Sequence, residues 1–392
     1  MKRLFIFLLI FFLCSPALSY PDKKEGKLKL PPEVHRALYK AQQLMNKEEY
    51  LKATEELKKF IHKHPKKNHY LIEFTLGNAL TMCGKKKEAV THYMAALDLK
   101  PDYNPAWMNL GKIYYDLKEY QKAGNALIKG YETGEKKEPG TLFNACSAFL
   151  MADKKENAIP YLKVLVSGKL GSPKQEWVQS LLMVYIDLKL NKKAEQMLER
   201  LVDRYRDNPL WWRLSYQFYA NQNDYEKAIT SLIIYSYLTS LKRDEIILLG
   251  DLLGVIGLPL EAARYYEKAL GYDGKPEEYE KLISFLLAAH KLEKARKALN
   301  QALKKNPTAK LWALLGQINY KQEKYEDALQ AFSQSAHLDP DNGEYPLMMG
   351  YCALQLEKKD KAMLALKKAS QFPRQHKIAR ELLKQVASWK ER

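Results

Sequence analysis

Cysteine is scarce in this sequence, and its spacing excludes a disulfide framework and the common zinc motifs. The 392 residues contain four cysteines, Cys14, Cys83, Cys146 and Cys352. Cys14 lies in a hydrophobic N-terminal segment, and the other three are far apart and odd in number. We therefore expect these three to be packed thiols with no metal bound.

Long hydrophobic runs are also missing, with one exception at the N-terminus. A helix that crosses a bilayer needs about 20 consecutive apolar residues. The apolar run at residues 4–13 is about half as long, follows Lys2 and Arg3, and precedes small residues. These are the features of a secretory signal peptide, and no later stretch predicts a transmembrane span.

This N-terminal pattern predicts export from the cytoplasm. We expect cleavage after Ser19, so that residues 1–19 are the signal peptide and the mature chain is a soluble protein. The very short positive start is typical of bacteria, which makes the periplasm the expected destination. Two alternatives remain open: a lipoprotein signal that ends at Cys14, and an uncleaved signal that anchors the chain.

The usual catalytic motifs are absent. The sequence has no Gly-x-Ser-x-Gly turn, no phosphate-binding glycine loop and no His-Glu-x-x-His. The only clustered histidines are His62, His64 and His69. Their spacing could hold a metal ion on a surface loop, although an exposed polar turn is the simpler interpretation. Because the acidic residues lie beside lysines without a general-acid pairing, we predict no enzymatic activity, no cofactor and no metal site.

Acidic residues are too few to balance the basic ones, and the net charge is +18. A strongly basic chain can bind nucleic acid. Here, however, the lysines are spread along the chain and often stand beside glutamates, as at residues 85–88. This distribution predicts a solvated surface and no nucleic-acid partner. Weak attraction to anionic lipids or acidic wall polymers remains an alternative.

The sequence does contain a pattern that returns about every 34 residues, in about ten copies. In one copy, Leu76 and Gly77 are followed by Ala89 and Tyr93. A repeat of this period predicts an all-α solenoid of stacked helical hairpins. Apolar residues recur at intervals of three and four, which is the period of a helix. The steadiest mark is an alanine in each second helix: Ala53, Ala89, Ala123, Ala158, Ala194, Ala228, Ala262, Ala295, Ala328 and Ala362.

Prolines mark several predicted helix starts. Asn104, Ser172 and Asn208 each precede a proline. In each pair the polar side chain is predicted to cap a helix whose first residue is the proline. Pro259 is predicted to open a second helix.

These residues resemble the tetratricopeptide repeat family, whose unit is a helix-turn-helix of about 34 residues. The resemblance implies a right-handed superhelical solenoid of about ten units at residues 33–373, after a flexible basic leader at 20–32. Residues 374–392 are predicted to form a C-terminal capping helix, with a partner-binding helix as the alternative. The predicted units begin near Val34, Tyr70, Asn104, Pro139, Gln175, Pro209, Arg243, Pro276, Ala309 and Gly343.

The same resemblance implies that the first helix of each unit lines an inner groove, where a peptide segment of a protein partner would bind. In the first five units the groove positions are mostly apolar and include five methionines, as on surfaces that accept varied peptides. In the later units they are polar and mixed in charge. The predicted partner-binding residues are Leu38, Gln42, Met45, Phe74, Asn78, Met82, Met108, Lys112, Tyr115, Phe143, Leu150, Met151, Met183, Ile186, Arg213, Gln217, Asp251, Tyr320 and Tyr351. The apolar ones could instead pack against the next first helix.

A narrower resemblance concerns the middle of the chain and its start. Residues 234–239, 243–252, 259–267 and 31–39 resemble a subgroup of exported bacterial tetratricopeptide proteins described as candidate components of the TonB system. This resemblance implies a periplasmic adaptor whose partners are TonB, ExbB or ExbD. The alternative is an adaptor in cell-wall or outer-membrane assembly.

Overall fold

The computed structural model describes residues 30–271 and 274–388, and it contains no strand there. The predicted all-α class is therefore confirmed. The predicted signal peptide, Cys14 and most of the predicted leader lie outside the described residues. The helices are α1 Pro32–Asn46, α2 Tyr50–Lys63, α3 Tyr70–Met82, α4 Lys86–Leu99, α5 Asn104–Asp116, α6 Tyr120–Thr133, α7 Pro139–Met151, α8 Lys155–Val166, α9 Gln175–Asp187, α10 Asn191–Arg204, α11 Pro209–Asn221, α12 Tyr225–Leu238, α13 Arg243–Val255, α14 Pro259–Leu270, α15 Pro276–Ala288, α16 Leu292–Lys305, α17 Ala309–Lys321, α18 Tyr325–Leu338, α19 Glu344–Gln355, α20 Lys359–Ala369 and α21 His376–Ala387.

Within each compact unit the helices are arranged as successive hairpins, in which an odd-numbered helix packs on the even-numbered helix that follows it, as α3 packs on α4 and α17 on α18. Eight of the ten predicted unit starts coincide with the first residue of a helix. The other two differ by little, because Val34 lies just inside α1 and Gly343 directly precedes α19. The chain divides into two compact units, Met1–Met197 and Leu198–Arg392. The predicted boundaries at residues 33–373 and 374–392 stay predictions.

Only one of the three predicted helix caps is correct. The Asn208 side chain accepts a hydrogen bond from the Leu210 N–H at 3.0 Å and caps α11. Asn104 is instead the first residue of α5. Ser172 lies outside α9, which begins at Gln175 and has no side-chain cap. Pro259 opens α14 as predicted.

Each hairpin turn contains one residue with a left-handed backbone conformation. The N–H after that residue bonds to the carbonyl five residues earlier, as from Glu49 to Leu44 at 2.9 Å. This bond closes the end of the first helix in the Schellman manner. Because it recurs in every hairpin, all ten share one turn geometry. The left-handed residues are Glu48, Gly84, Lys118, Asp153, Lys189, Asn223, Gly257, His290, Glu323 and Glu357.

The two helices of a hairpin approach closely where small residues meet large ones. All ten marker alanines are completely buried. In the second hairpin, a Cβ added at Gly77 of α3 would lie 2.7 Å from Cε1 of Tyr93 in α4. The Tyr93 ring cannot move aside freely, because it is buried and its hydroxyl donates to Oδ1 of Asn78 at 2.7 Å. Glycine is therefore required here by packing.

Neighbouring hairpins are joined mainly by apolar contact. In the first compact unit, one core cluster extends from Val34 in α1 to Ala148 in α7. Ion pairs also connect neighbours, such as Lys58 in α2 with Glu88 in α4 at 2.9 Å. Exposed pairs of this kind contribute only about 0–1 kcal/mol each, so the shared core supplies most of the adhesion.

In the second compact unit, α21 packs on α20. Ala379 and Val386 of α21 are completely buried in that contact region. Of the helices in the described residues, none combines the length and the hydrophobicity needed to cross a bilayer.

We predict that Gly77→Ala lowers the free energy of unfolding by about 1–3 kcal/mol, because the added methyl group overlaps the fixed Tyr93 ring. The matched control is Gly140→Ala in α7, where nothing lies within 4 Å of an added Cβ. Alanine is a better helix former than glycine, so the control is expected to be neutral or stabilising. Urea unfolding followed by circular dichroism measures both. Equal stability of the two variants contradicts the close approach at Gly77.

Candidate functional site

The predicted partner-binding residues fall into three groups by exposure. Three are buried, with 3%, 6% and 6% of their surface exposed: Met45, Phe74 and Asn78. Three are exposed: Met82, Met151 and Gln217. The others are half-buried: Leu38, Gln42, Met108, Lys112, Tyr115, Phe143, Leu150, Met183, Ile186, Arg213, Asp251, Tyr320 and Tyr351. The structure therefore does not bring this set together as one exposed stripe.

Phe74 belongs to the core, which is the alternative that the sequence left open for the apolar groove positions. Its ring lies 5.8 Å from the Tyr93 ring and 5.1 Å from the Tyr103 ring, centroid to centroid. The cause is that α3 contacts α1, α2 and α4, so little of its surface is left uncovered. Met45 likewise belongs to the core, because it packs in a small core cluster with Ala53 and Ala79.

Asn78 is also buried, and it is part of a hydrogen-bond network between two hairpins. Its Oδ1 accepts from the Tyr93 hydroxyl at 2.7 Å and from Nδ2 of Asn109 in α5 at 2.9 Å. The Tyr93 hydroxyl also lies 3.2 Å from Oγ1 of Thr81. Burial raises the pKa of Tyr93 to about 12, so the phenol stays neutral. Asn78 therefore holds the second and third hairpins together and is not available to a peptide.

Several half-buried members of the predicted set contact a neighbouring helix. The Phe143 ring of α7 lies 6.4 Å from the Trp177 ring of α9. A Cβ at Gly130 of α6 would lie 2.7 Å from the Met108 sulfur, so Met108 packs on its own hairpin. Leu38 packs against the core cluster of the first hairpins. The Phe143 contact corresponds to the alternative in which apolar groove residues pack against the next first helix, whereas Met108 packs within its own hairpin.

Met82 and Met151 are the exposed apolar members of the set, at 41% and 52% exposure. Met82 is the last residue of α3, and Met151 is the last residue of α7. They stand at equivalent positions of two hairpins, directly before the turn. These two side chains are accessible to a partner without rearrangement.

In the second compact unit, the Asp251 carboxylate already has hydrogen-bond and ion-pair partners within the chain. Its Oδ1 accepts from the Tyr266 hydroxyl at 2.6 Å and pairs with the Lys281 ammonium at 2.7 Å. The Tyr320 ring lies 5.3 Å from the Tyr325 ring. Gln217 of α11 is exposed. The polar character predicted for these positions is present, but Asp251 already has internal partners.

His69, Cys146 and Cys352 have structural roles. His69 caps α3, because its Nδ1 accepts from the Leu71 N–H at 3.2 Å; burial lowers the pKa of His69. Burial also raises the pKa of the Cys146 and Cys352 thiols to about 12 each, which disfavours the reactive thiolate. Across residues 30–271 and 274–388, no three His, Cys, Asp or Glu side chains are grouped to hold a metal ion.

A pocket of about 590 Å³ opens between α4, α5 and α6, and its lining contains none of the predicted partner-binding residues. We call it the Met94 pocket. Met94 in its wall is 48% exposed. Its sulfur accepts a hydrogen bond from the Tyr114 hydroxyl at 3.7 Å, and Nε1 of Trp107 donates to the Pro101 carbonyl at 2.8 Å. The lining residues are Met94, Leu97, Asp98, Pro101, Trp107, Leu110, Tyr114, Lys122, Asn125, Ala126 and Lys129.

This pocket has a size typical of ligand sites, about 300–1,000 Å³. Its lining is mainly apolar, with lysines on α6 and one carboxylate on α4. The sequence did contain a signal for it. Counted from the marker alanine, Met94 occupies a second-helix position where most copies carry a polar residue.

We predict that Phe74→Glu lowers the free energy of unfolding by at least about 3 kcal/mol, because the carboxylate would be buried without a partner. Met82→Glu in the same helix is the matched control. Its side chain is exposed, so the change is expected to stay within about 0.5 kcal/mol. Chemical unfolding monitored by circular dichroism compares the two. A Phe74→Glu protein as stable as the control means that Phe74 is not a core residue.

Of three similar solved structures, the one with a TM-score above 0.5 supports the helical-hairpin fold. A chain in the structure of Naa15/Naa10 bound to HypK-THB is similar with a TM-score of 0.53 and 14% identity, covering 91% of this chain. This chain spans 65% of the length of that one. The P58(IPK) TPR domain matches with a TM-score of 0.27 and 15% identity, covering 91% of this chain and 97% of that one. MamA 41-end from Desulfovibrio magneticus RS-1 matches with a TM-score of 0.36 and 18% identity, covering 46% and 97%.

Family models match three segments of the sequence. The tetratricopeptide repeat model matches residues 281–343 and 320–376, and the TPR repeat model matches residues 77–123. No curated protein matches the sequence. Such a fold indicates a scaffold for protein–protein interaction. Residues 77–123 and 281–376 therefore match tetratricopeptide repeat models, and the helical hairpins of the described residues have the all-α solenoid fold that such repeats form.

Proposed function

We propose that this chain is a periplasmic scaffold that binds a polypeptide segment of an envelope protein. We further propose that it is an accessory component of the TonB–ExbB–ExbD system. The observation that carries the binding proposal is the exposure of Met82 and Met151 at equivalent positions of two first helices. The remaining predicted groove residues would contribute where they are half-buried, as Phe143 and Met183 are.

The position of these two methionines supports a role in binding. Both stand seven residues before the marker alanine of their hairpin. At that position most other copies have a polar residue: Asn46, Asp116, Asp187, Asn221, Lys321 and Gln355. An exposed methionine is therefore not required by the repeat. Its unbranched, polarizable side chain adapts to varied apolar surfaces, which suits contact with a peptide.

The choice of location and partner rests on the sequence. The N-terminal pattern supports export, and the resemblance of residues 234–239 and 243–252 to the TonB-associated subgroup supports the partner. If the chain were instead an adaptor in cell-wall or outer-membrane assembly, it would have the same fold and use the same first-helix surface. This second function would be favoured if the neighbouring genes encode wall or outer-membrane assembly proteins instead of TonB, ExbB and ExbD.

We predict that the affinity-tagged full chain, crosslinked in intact cells and purified from the envelope, recovers TonB, ExbB or ExbD. The double variant Met82→Glu and Met151→Glu is expected to recover at least about tenfold less, because two carboxylates would lose their water at the contact. Leu364→Glu is the matched control. Leu364 is 75% exposed on α20 and outside the first helices, so recovery is expected to be unchanged.

Each other outcome has a defined meaning. Recovery of none of the three proteins rejects the TonB assignment, and recovery of wall or outer-membrane assembly proteins supports the alternative. Equal recovery with the double variant rejects the methionine surface. Fractionation that places the chain in the cytoplasm rejects the periplasmic location.

A further inference from the structure

The position of Met94 is unusual among the repeats. It lies five residues after the marker alanine Ala89, in the second helix of its hairpin. Two other copies are apolar there, but Ile128 is buried and Ile233 is half-buried. Met94 is therefore an exposed apolar side chain at a position that usually meets water. Seven of the ten copies carry a polar residue: Lys58, Lys163, Glu199, Glu267, Asn300, Ser333 and Lys367.

A second pocket, in the other compact unit, has the same tryptophan hydrogen bond in its wall. Nε1 of Trp212 donates to the Arg206 carbonyl at 2.8 Å, as Nε1 of Trp107 does to the Pro101 carbonyl. Both bonds reach the residue six positions earlier. The second pocket has a volume of about 340 Å³. This hydrogen bond therefore occurs in two copies and by itself indicates no ligand.

The chemistry of the two pockets differs. Glu199, Ser215 and Ser231 line the second pocket at the positions that Met94, Leu110 and Ala126 occupy in the first. The Met94 pocket is also the larger of the two. Leucine at the Leu110 position recurs in most copies, and alanine at the Ala126 position recurs in several. Of these three lining residues, only Met94 therefore departs from the repeat.

Charge at the rim indicates the chemistry of the occupant. Lys122 and Lys129 lie seven residues apart on one face of α6, which separates them by about 10 Å along the helix. Asp98 is the acidic residue of the lining. The lysines pair with Glu119 at 2.6 Å and with Glu132 at 2.9 Å. Exposed pairs of this kind contribute little, so both ammonium groups can exchange these partners for carboxylates of a ligand.

We propose that the Met94 pocket binds a large apolar side chain of a partner polypeptide, with acidic residues on both sides of it facing Lys122 and Lys129. The apolar side chain would rest on Trp107, Leu110 and Tyr114 and displace water from Met94. The net charge of +18 favours an acidic partner at longer range as well. This site uses other residues than Met82 and Met151, and it depends neither on the periplasmic location nor on the TonB assignment.

Three fluorescein-labelled peptides test the proposal by fluorescence anisotropy with the full chain at low salt. The first has a Phe-Leu centre between pairs of glutamates, the second replaces the centre with Ala-Ala, and the third replaces the glutamates with lysines. We expect the first to bind and the second to bind at least about tenfold more weakly, because less apolar surface is buried. The third is expected not to bind, because it repels the lysines.

Variants locate the binding. Met94→Glu is expected to abolish binding of the first peptide, and Lys129→Glu is expected to weaken it. Leu364→Glu adds the same charge at an exposed leucine outside the pocket and is expected to have no effect. Should Met94→Glu lose helicity by circular dichroism, Asn125→Trp fills the pocket from its exposed rim without adding charge, and it is also expected to abolish binding.

The following results overturn the proposal. The first peptide does not bind when the protein concentration is about 1 mM. The Ala-Ala peptide, or the lysine peptide, binds as tightly as the first peptide. Unchanged binding to a folded Met94→Glu or Asn125→Trp protein also overturns it.

Discussion

The close approach of two helices in each hairpin is the constraint on which the rest of this structure depends. A completely buried alanine marks every second helix, and no larger side chain could stand there without separating the helices. In the second hairpin the first helix contributes Gly77, which has no Cβ and so leaves room for the Tyr93 ring of the second helix. Because every hairpin meets the same requirement, the alanine recurs in the sequence at the period at which the hairpins recur in the structure.

The same close packing limits where function can lie. A first helix in the middle of an array is covered by its own partner and by its neighbours, as α3 is by α1, α2 and α4. Most positions that the family resemblance assigned to an inner groove are therefore half-buried or buried. Burial contributes to stability in proportion to apolar area, and a side chain such as Phe74 that supplies this area cannot also present it to a partner. The apolar members of the predicted set that remain exposed, Met82 and Met151, lie at helix ends.

Function in such an array is best sought where one copy departs from the others. A residue type shared by most copies is explained by packing or by solvation, since every hairpin has the same arrangement of helices and turn. Met82 and Met94 depart from this rule, because each is an exposed methionine where most copies have a polar side chain. The two pockets illustrate the point, since Met94 lines the first at the position where Glu199 lines the second.

The sequence by itself determined the helical class, the hairpin period and the starts of the first helices, because these follow from local periodicity and from small residues at fixed spacing. Tertiary structure decided which side chains remain exposed. Phe74 and Met82 are both apolar and lie on the same helix. The Phe74 ring is buried against Tyr103, whereas the Met82 side chain is exposed to solvent. The Met94 pocket likewise forms only when α4, α5 and α6 come together. Helical spacing specifies the direction of a side chain, but its exposure depends on neighbours that are distant in the sequence.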